Sequence, residues 1–197
     1  MIIECGCDET GRGSAVAEIY VAAVILDPLH PIQGLRDSKK LSVKKREFLA
    51  KEIKEKALSW CVATASLEEI EKLNVLHATL LAMKRAIEGL HIKPDKALID
   101  GNQAPLLAIP TETIIKGDDK IPAISAASII AKVDRDHAML AYHSLYPMYG
   151  FDKHKGYLTA GHMEALCKYG PCPLHRKTYA PIRRLLEMKD AQCFFDF

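Results

Sequence analysis

The chain has 197 residues, 49% of them hydrophobic and 26% charged, and a formal net charge of +2. That composition excludes a disordered or fibrous chain, and a domain of this length buries about 70% of its unfolded surface without disulfide or metal staples. So mild a charge names no partner by itself. No apolar stretch reaches spanning length, and Met1–Glu4 has neither part of a signal peptide, so a cytoplasmic protein with no membrane contact is expected.

Ile2–Cys7 reads as a strand that runs into a turn at Asp8-Glu9-Thr10-Gly11-Arg12-Gly13, because closely spaced glycines break any regular period. Ile19–Leu26 reads as a second strand. Ser42 caps a predicted helix whose Leu49, Ile53 and Ala57 share a face. Trp60–Ala65 is a short strand. Ser66-Leu67-Glu68-Glu69 fits a capping box that opens a short helix. A longer helix follows, with Leu76, Leu80, Met83 and Ile87 on its apolar face and Gly89 at its end. Ala97–Ile99 and Thr113–Ile115 read as buried strands that stop at an acid. Ile124–Tyr142 reads as a long helix, and beyond Pro147 two more are expected, near Ala160–Lys168 and Pro181–Lys189. Early strands followed by alternating helices and strands predict an α/β domain with a mixed sheet.

Six cysteines lack any zinc spacing, and Cys5 and Cys7 alternate within an apolar run, so they read as buried free thiols on one strand face. The eight histidines are scattered; His162 and His175 read as structural or phosphate-facing rather than as ligands. Basic residues cluster at Lys39-Lys40, Lys44-Lys45-Arg46, Lys153/Lys155, Arg176-Lys177 and Arg183-Arg184. Such clusters suit phosphates, though each equally suits a solvated face. The tail Cys193-Phe194-Phe195-Asp196-Phe197 is expected to pack onto the domain.

Four acids stand at predicted strand ends: Asp8, Glu9, Asp100 and Asp118. Strand ends are where sites collect in α/β sheets. Phosphodiester cleavage needs charge stabilisation and an activated water, which two hard divalent ions held by carboxylates can supply. Neighbours on a straight strand point to opposite faces, so two adjacent ligands at Asp8 and Glu9 require the chain to leave the strand there. Each acid taken alone also fits a plain turn or solvated loop. Thr10-Gly11-Arg12-Gly13 lacks the third glycine of a dinucleotide fingerprint, and no Gly-Lys-Ser/Thr follows. Its amides remain available to a nucleic-acid phosphate or sugar.

Asp-Glu-Thr-Gly-Arg-Gly at 8–13 resembles the signature of ribonuclease HII, the type 2 ribonuclease H. Asp37-Ser38-Lys39-Lys40-Leu41, Leu98-Ile99-Asp100-Gly101-Asn102, Lys116-Gly117-Asp118, Ile124–Val133 with Arg135-Asp136, Lys155-Gly156-Tyr157-Leu158-Thr159 with His162, and His175-Arg176 with Pro181 resemble its later blocks in order.

The resemblance implies a ribonuclease H-like mixed sheet flanked by helices over 1–145, with a small helical C-terminal extension over 146–197 packed on it. It implies an endonuclease that hydrolyses the RNA strand of RNA–DNA hybrids. The enzyme would also cut 5′ to ribonucleotides embedded in duplex DNA, leaving 3′-hydroxyl and 5′-phosphate ends, as a monomer. Asp8, Glu9, Asp100 and Asp118 would be the catalytic, metal-binding acids, with Mg²⁺ or Mn²⁺ as cofactor. Gly11, Arg12 and Gly13 would read the ribose 2′-hydroxyl, Tyr157 would pack at the RNA–DNA junction, and Lys39, Ser125 and Lys132 would contact phosphate; Ser125 equally suits a helix cap.

The chain departs from the family pattern where a Pro and a later Gly-Pro pair give way to Ser14, Ala17 and Glu18. A reshaped turn into the second strand, and extra charge on the nucleic-acid side, are expected there. With Asp8 so near the start, the extra N-terminal domain of the related type III enzymes is not expected. A resolvase- or integrase-like DNA cutter is the alternative enzyme. A nucleic-acid-binding module without chemistry is the non-enzyme alternative.

Overall fold

The computed structural model describes residues 2–193. Five strands form one mixed sheet, in the order β3-β2-β1-β4-β5. They are β1 (Glu4–Thr10), β2 (Ile19–Ile25), β3 (Ser59–Ala65), β4 (Lys96–Asp100) and β5 (Thr111–Ile114). The first three pair antiparallel, and β1-β4-β5 run parallel. The helices are α1 (Val43–Lys56), α2 (Leu67–Glu88), α3 (Pro122–Leu145), α4 (Phe151–His154), α5 (Ala160–Tyr169) and α6 (Ala180–Cys193).

β2 is covered on both sides, which is why Ile19–Ile25 is an almost unbroken apolar run. Its Ile19, Val21, Ala23 and Ile25 join Cys5, Cys7 and Ile99 in a core under α2. Its Ala22 and Val24 face α1 and α3, where Leu49, Ile53, Ala126 and Ile130 pack. α3 lies so close to β1 that a β-carbon at Gly6 would stand 2.2 Å from the Ala123 carbonyl carbon. Glycine at 6 therefore permits the approach that sets α3 against the end of β1. A third cluster joins Ala15, Val16 and Ala17 to Phe151, Leu166 and Ile182 of the C-terminal helices.

Local signals placed most elements within a few residues. Ser42 caps α1, and Ser66 with Glu69 forms the expected capping box. The short and long helices expected after Ser66 are one element kinked at Asn74 (φ 67°), whose Oδ1 accepts the Leu76 and His77 N–H groups and restarts the helix. Gly89 closes α2 at negative φ; its missing side chain matters because a β-carbon would meet Cys61 Sγ at 2.6 Å.

Two expectations need correction. β1 does not end at Cys7: it continues through Asp8, Glu9 and Thr10, which pair with Ala22, Val21 and Tyr20 of β2. β5 is not buried: Thr111, Glu112 and Thr113 are exposed, and β5 is an edge strand whose Glu112 pairs with Lys96. The aromatic residues 194–197 lie outside the described residues. Among the described residues, no helix is long and apolar enough to cross a membrane.

Candidate metal centre and glycine loop

Parallel pairing of β1 with β4 stops at Cys7↔Ile99. Past that point the edge of β1 is open, and there the acids gather. Alternation places Asp8 on the Gly6 face, toward α3, and Glu9 on the Cys7 face, toward α2. Asp100, in phase with Leu98, closes β4 on the α3 side. Glu9 reaches round the open end of the sheet, so oxygens of Asp8, Glu9 and Asp100 lie within 4.8 Å of one another. The convergence of adjacent residues thus needs no departure from the strand, only the loss of its neighbour.

Each of the two aspartates is held by short bonds. Asp8 Oδ1 accepts the Glu9 N–H at 2.7 Å, and Asp8 also takes a hydrogen bond from Ser128. Ser128 in turn bonds Ser38 at 3.0 Å, which ties the Asp37–Leu41 segment to the site. Asp100 Oδ1 accepts the Gly117 N–H at 2.7 Å and so caps the 3-10 turn Gly117–Asp119 that presents Asp118. Asp118 stands beside Asp100 but outside the group of three. It is not at a strand end: Ile115, left-handed Lys116 and Gly117 intervene after β5.

Burial, then the charges of Glu9 and Asp100, push the Asp8 carboxyl well above its ordinary range. Burial, then Asp100 and Asp37, raise Asp118 as well. Carboxylates that raise one another in a partly dry site are short of positive charge. An oxygen-only donor set with that deficit fits a hard divalent cation and suits zinc poorly. Lys39 is a counter-charge on the Asp8 and Asp118 side. Burial alone would lower its ammonium, but Asp37, Asp8 and Asp118 together raise it.

The glycine loop adjoins this cluster. Gly11 adopts φ +94°, and a β-carbon there would stand 2.3 Å from Arg135 Nε, so only glycine fits. Arg12 and Gly13 are exposed, and Arg12 Nη1 bonds Glu9 Oε1 at 3.2 Å. Tyr157, 40% exposed, stands over Gly13 with the Arg135 guanidinium 5.7 Å from its ring centre.

The structure therefore brings Gly11, Arg12, Gly13, Lys39 and Tyr157 to the acids' side. Ser125 and Lys132 are differently placed. Ser125 is buried inside α3, so it is not the helix cap. Its hydroxyl donates to the Asp118 carbonyl at 2.7 Å and holds that turn from behind. Lys132 Nζ bonds Asp136 one turn along α3.

The substituted turn carries one left-handed residue. Ala17 sits at φ +65°, in the left-handed region that suits the family's glycine. Glu18 accepts the Tyr142 hydroxyl at 2.9 Å, which turns its carboxylate toward α3.

Two residues that matter here read on sequence only as parts of charged blocks. Arg176 is buried and donates to Gly11 O at 2.8 Å, to Arg12 O at 2.9 Å and twice to Ala17 O. It is no surface phosphate cluster. Arg135 is buried too and donates to Lys155 O at 3.0 Å and Val16 O at 3.3 Å. Between them they clamp the glycine loop to the Tyr157 segment. The one signal for them was their place inside the ordered family blocks.

Comparison with known proteins agrees with this geometry. The family model for ribonuclease HII matches residues 5–182. A ribonuclease HII of Desulforamulus reducens is 70% identical over 190 residues, covering 96% of each chain. One from Natranaerobius thermophilus is 58% identical over 193 residues, covering 98% of each. The crystal structure of ribonuclease H2 from Pyrococcus horikoshii superposes with a TM-score of 0.79 at 25% identity, over 94% of this chain and 97% of that one. With acids, glycine loop and clamp all inside the matched span, the chain belongs to the ribonuclease HII family.

Proposed function

We propose that Asp8, Glu9, Asp100 and Asp118 hold two divalent ions, Mg²⁺ or Mn²⁺. With them the enzyme hydrolyses the RNA strand of hybrids and cuts 5′ to ribonucleotides embedded in duplex DNA. Cleavage of RNA in RNA–DNA hybrids is the activity of the ribonuclease HII family, of which this chain is a member. The observation that carries the metal assignment is the meeting of Asp8, Glu9 and Asp100 at the open end of β1, beside the glycine loop. When bound, the ions supply charge stabilisation and a more acidic water. The chain's own part is placement. Asp100 orients the turn that carries Asp118, and Ser125 braces that turn. Gly11–Gly13 present backbone to the ribose, whose 2′-hydroxyl separates RNA from DNA. Tyr157 packs against the same nucleotide, and Lys39 meets phosphate from the acids' rim. Lys132 contributes from further along α3. The helices after residue 145 act as an extension that supports Tyr157.

One gel tests the reading. A DNA duplex carrying a single ribonucleotide is incubated with each metal, and the cut is mapped. A single break 5′ to the ribonucleotide, leaving 3′-hydroxyl and 5′-phosphate ends, is expected, and an all-DNA duplex should stay whole. Cutting of the all-DNA duplex would favour a resolvase-like enzyme. Tyr157→Ala should slow cutting at the single ribonucleotide by about tenfold, the scale of one lost base-stacking contact. Equal rates for the variant and wild type would remove Tyr157 from the site.

A further inference from the structure

Behind Tyr157 lies a chain of imidazoles that the metal chemistry does not use. His162 of α5 and His175 are fully buried, with their Nε2 atoms 3.1 Å apart. His154 stacks on His162 at 4.3 Å between ring centres. The surrounding backbone fixes which nitrogen carries each proton. The Tyr157 carbonyl, 3.0 Å from His162 Nδ1, can only accept, so the His162 proton sits on Nδ1 and its Nε2 accepts. The His175 proton must then sit on Nε2, which donates to His162 Nε2. His175 Nδ1, 3.2 Å from the Cys172 carbonyl, accepts the Cys172 N–H at 2.9 Å.

Every link runs one way, and every link requires a neutral ring. Burial pushes both imidazoles down to about 4, with His154 adding to it for both and His162 for His175, so both are neutral at physiological pH. Their ring neighbours are Tyr149, Phe151 and His154, whose Nε2 bonds the Tyr149 carbonyl, and Cys172 Sγ lies 3.1 Å from His175 Nδ1. Among the described residues no carboxylate bonds either ring.

The chain of bonds has an input at the glycine loop and an output at Tyr157. Leu174 and Arg176, flanking His175, bond the backbone of Ala17 and Ala15 at 2.9 Å each. Gly156, preceding Tyr157, accepts the Ala15 N–H at 3.0 Å. The histidine pair therefore crosses between the two segments that face the ribose.

We propose that His162 and His175 are positioning residues for ribose recognition: as a one-way hydrogen-bond relay they fix the Tyr157 carbonyl, and with it the place of the Tyr157 ring over the glycine loop. The proposal rests on the reading that Tyr157 packs against the nucleotide.

Two replacements of His162 separate positioning from mere filling of space. Asparagine places an N–H where Nδ1 stands and keeps the bond to Tyr157 O. Glutamine reaches toward His175 and loses that bond. At a single ribonucleotide in DNA, kcat/KM for His162→Gln should fall about fivefold, the scale of one hydrogen bond, while His162→Asn, which gives up only the link to His175, stays within about twofold of wild type. Equal losses in the two variants, with Tyr157→Ala still impaired, would overturn the relay and leave the Tyr157 reading standing. An unimpaired Tyr157→Ala would take both down. If neither variant folds, ¹⁵N spectra of the wild-type histidines at neutral pH decide. The relay requires His162 protonated on Nδ1 and His175 on Nε2; the opposite tautomer at either ring would refute it.

Discussion

Asp8→Asn is expected to cut cleavage by about a thousandfold or more while leaving the fold and duplex binding nearly intact. The asparagine retains an Oδ1 that can accept the Glu9 N–H, so the end of β1 keeps its local geometry. What disappears is the deepest of the three converging charges, on a side chain only 5% exposed. Divalent ions should raise the melting temperature of the wild type and leave the variant almost unmoved, because a ligand stabilises only the form that binds it.

The sign of the pH effect follows from the same crowding. A carboxyl raised in the folded state holds its proton more tightly there than in the unfolded chain. Its contribution to stability is present below the ordinary carboxyl range and is lost as pH rises toward the raised value. In chelator, the variant should therefore gain on the wild type in melting temperature between pH 5 and pH 7, on the order of a few degrees. A wild-type cleavage rate for Asp8→Asn in Mg²⁺, read on the gel, would end the assignment.

The sequence carried the elements further than it carried their company. Ser42, Ser66 and Glu69 announce helix starts through chemistry confined to a few residues, and the structure uses them as read. Whether a strand lies at an edge depends on what the rest of the chain brings beside it. Thr113–Ile115 is short and apolar, so it reads as buried, yet among the described residues no further strand pairs beyond β5. Asp8 and Glu9 show the same limit. Alternation alone separates them, and only the early end of β4 opens the edge around which Glu9 returns. Arg46 reads as one of a basic trio but donates to the Ser38 and Leu41 carbonyls. Local composition cannot tell this half-buried arginine from a solvated one, because its partners are backbone carbonyls five and eight residues before it, which no side chain marks.

Arg176→Met is expected to lower the melting temperature by about 10 °C. Three carbonyls, of Gly11, Arg12 and Ala17, lose their side-chain donor together. At about 1 kcal/mol or more for each poorly satisfied group, the loss is roughly 3 kcal/mol, and a protein of this size melts about 2–4 °C lower per kcal/mol. Arg176→Lys should melt no higher than Arg176→Met, although lysine looks the milder change. Burial already draws the Arg176 guanidinium down to about 10, a sign of what its charge costs there. Methionine removes that charge, whereas lysine keeps a compact one without the planar fork that spans three acceptors. Cutting at a single ribonucleotide should fall in both, since the unclamped carbonyls belong to the loop proposed to meet the ribose. Ala17 supplies an internal control. Its left-handed backbone costs about 1 kcal/mol that glycine would not, and Arg176 is bonded directly to its carbonyl. Adding Ala17→Gly to Arg176→Met should therefore recover a few degrees and part of the cleavage. If it recovers nothing, or if lysine restores the wild-type melting point, Arg176 is not what holds this loop in shape.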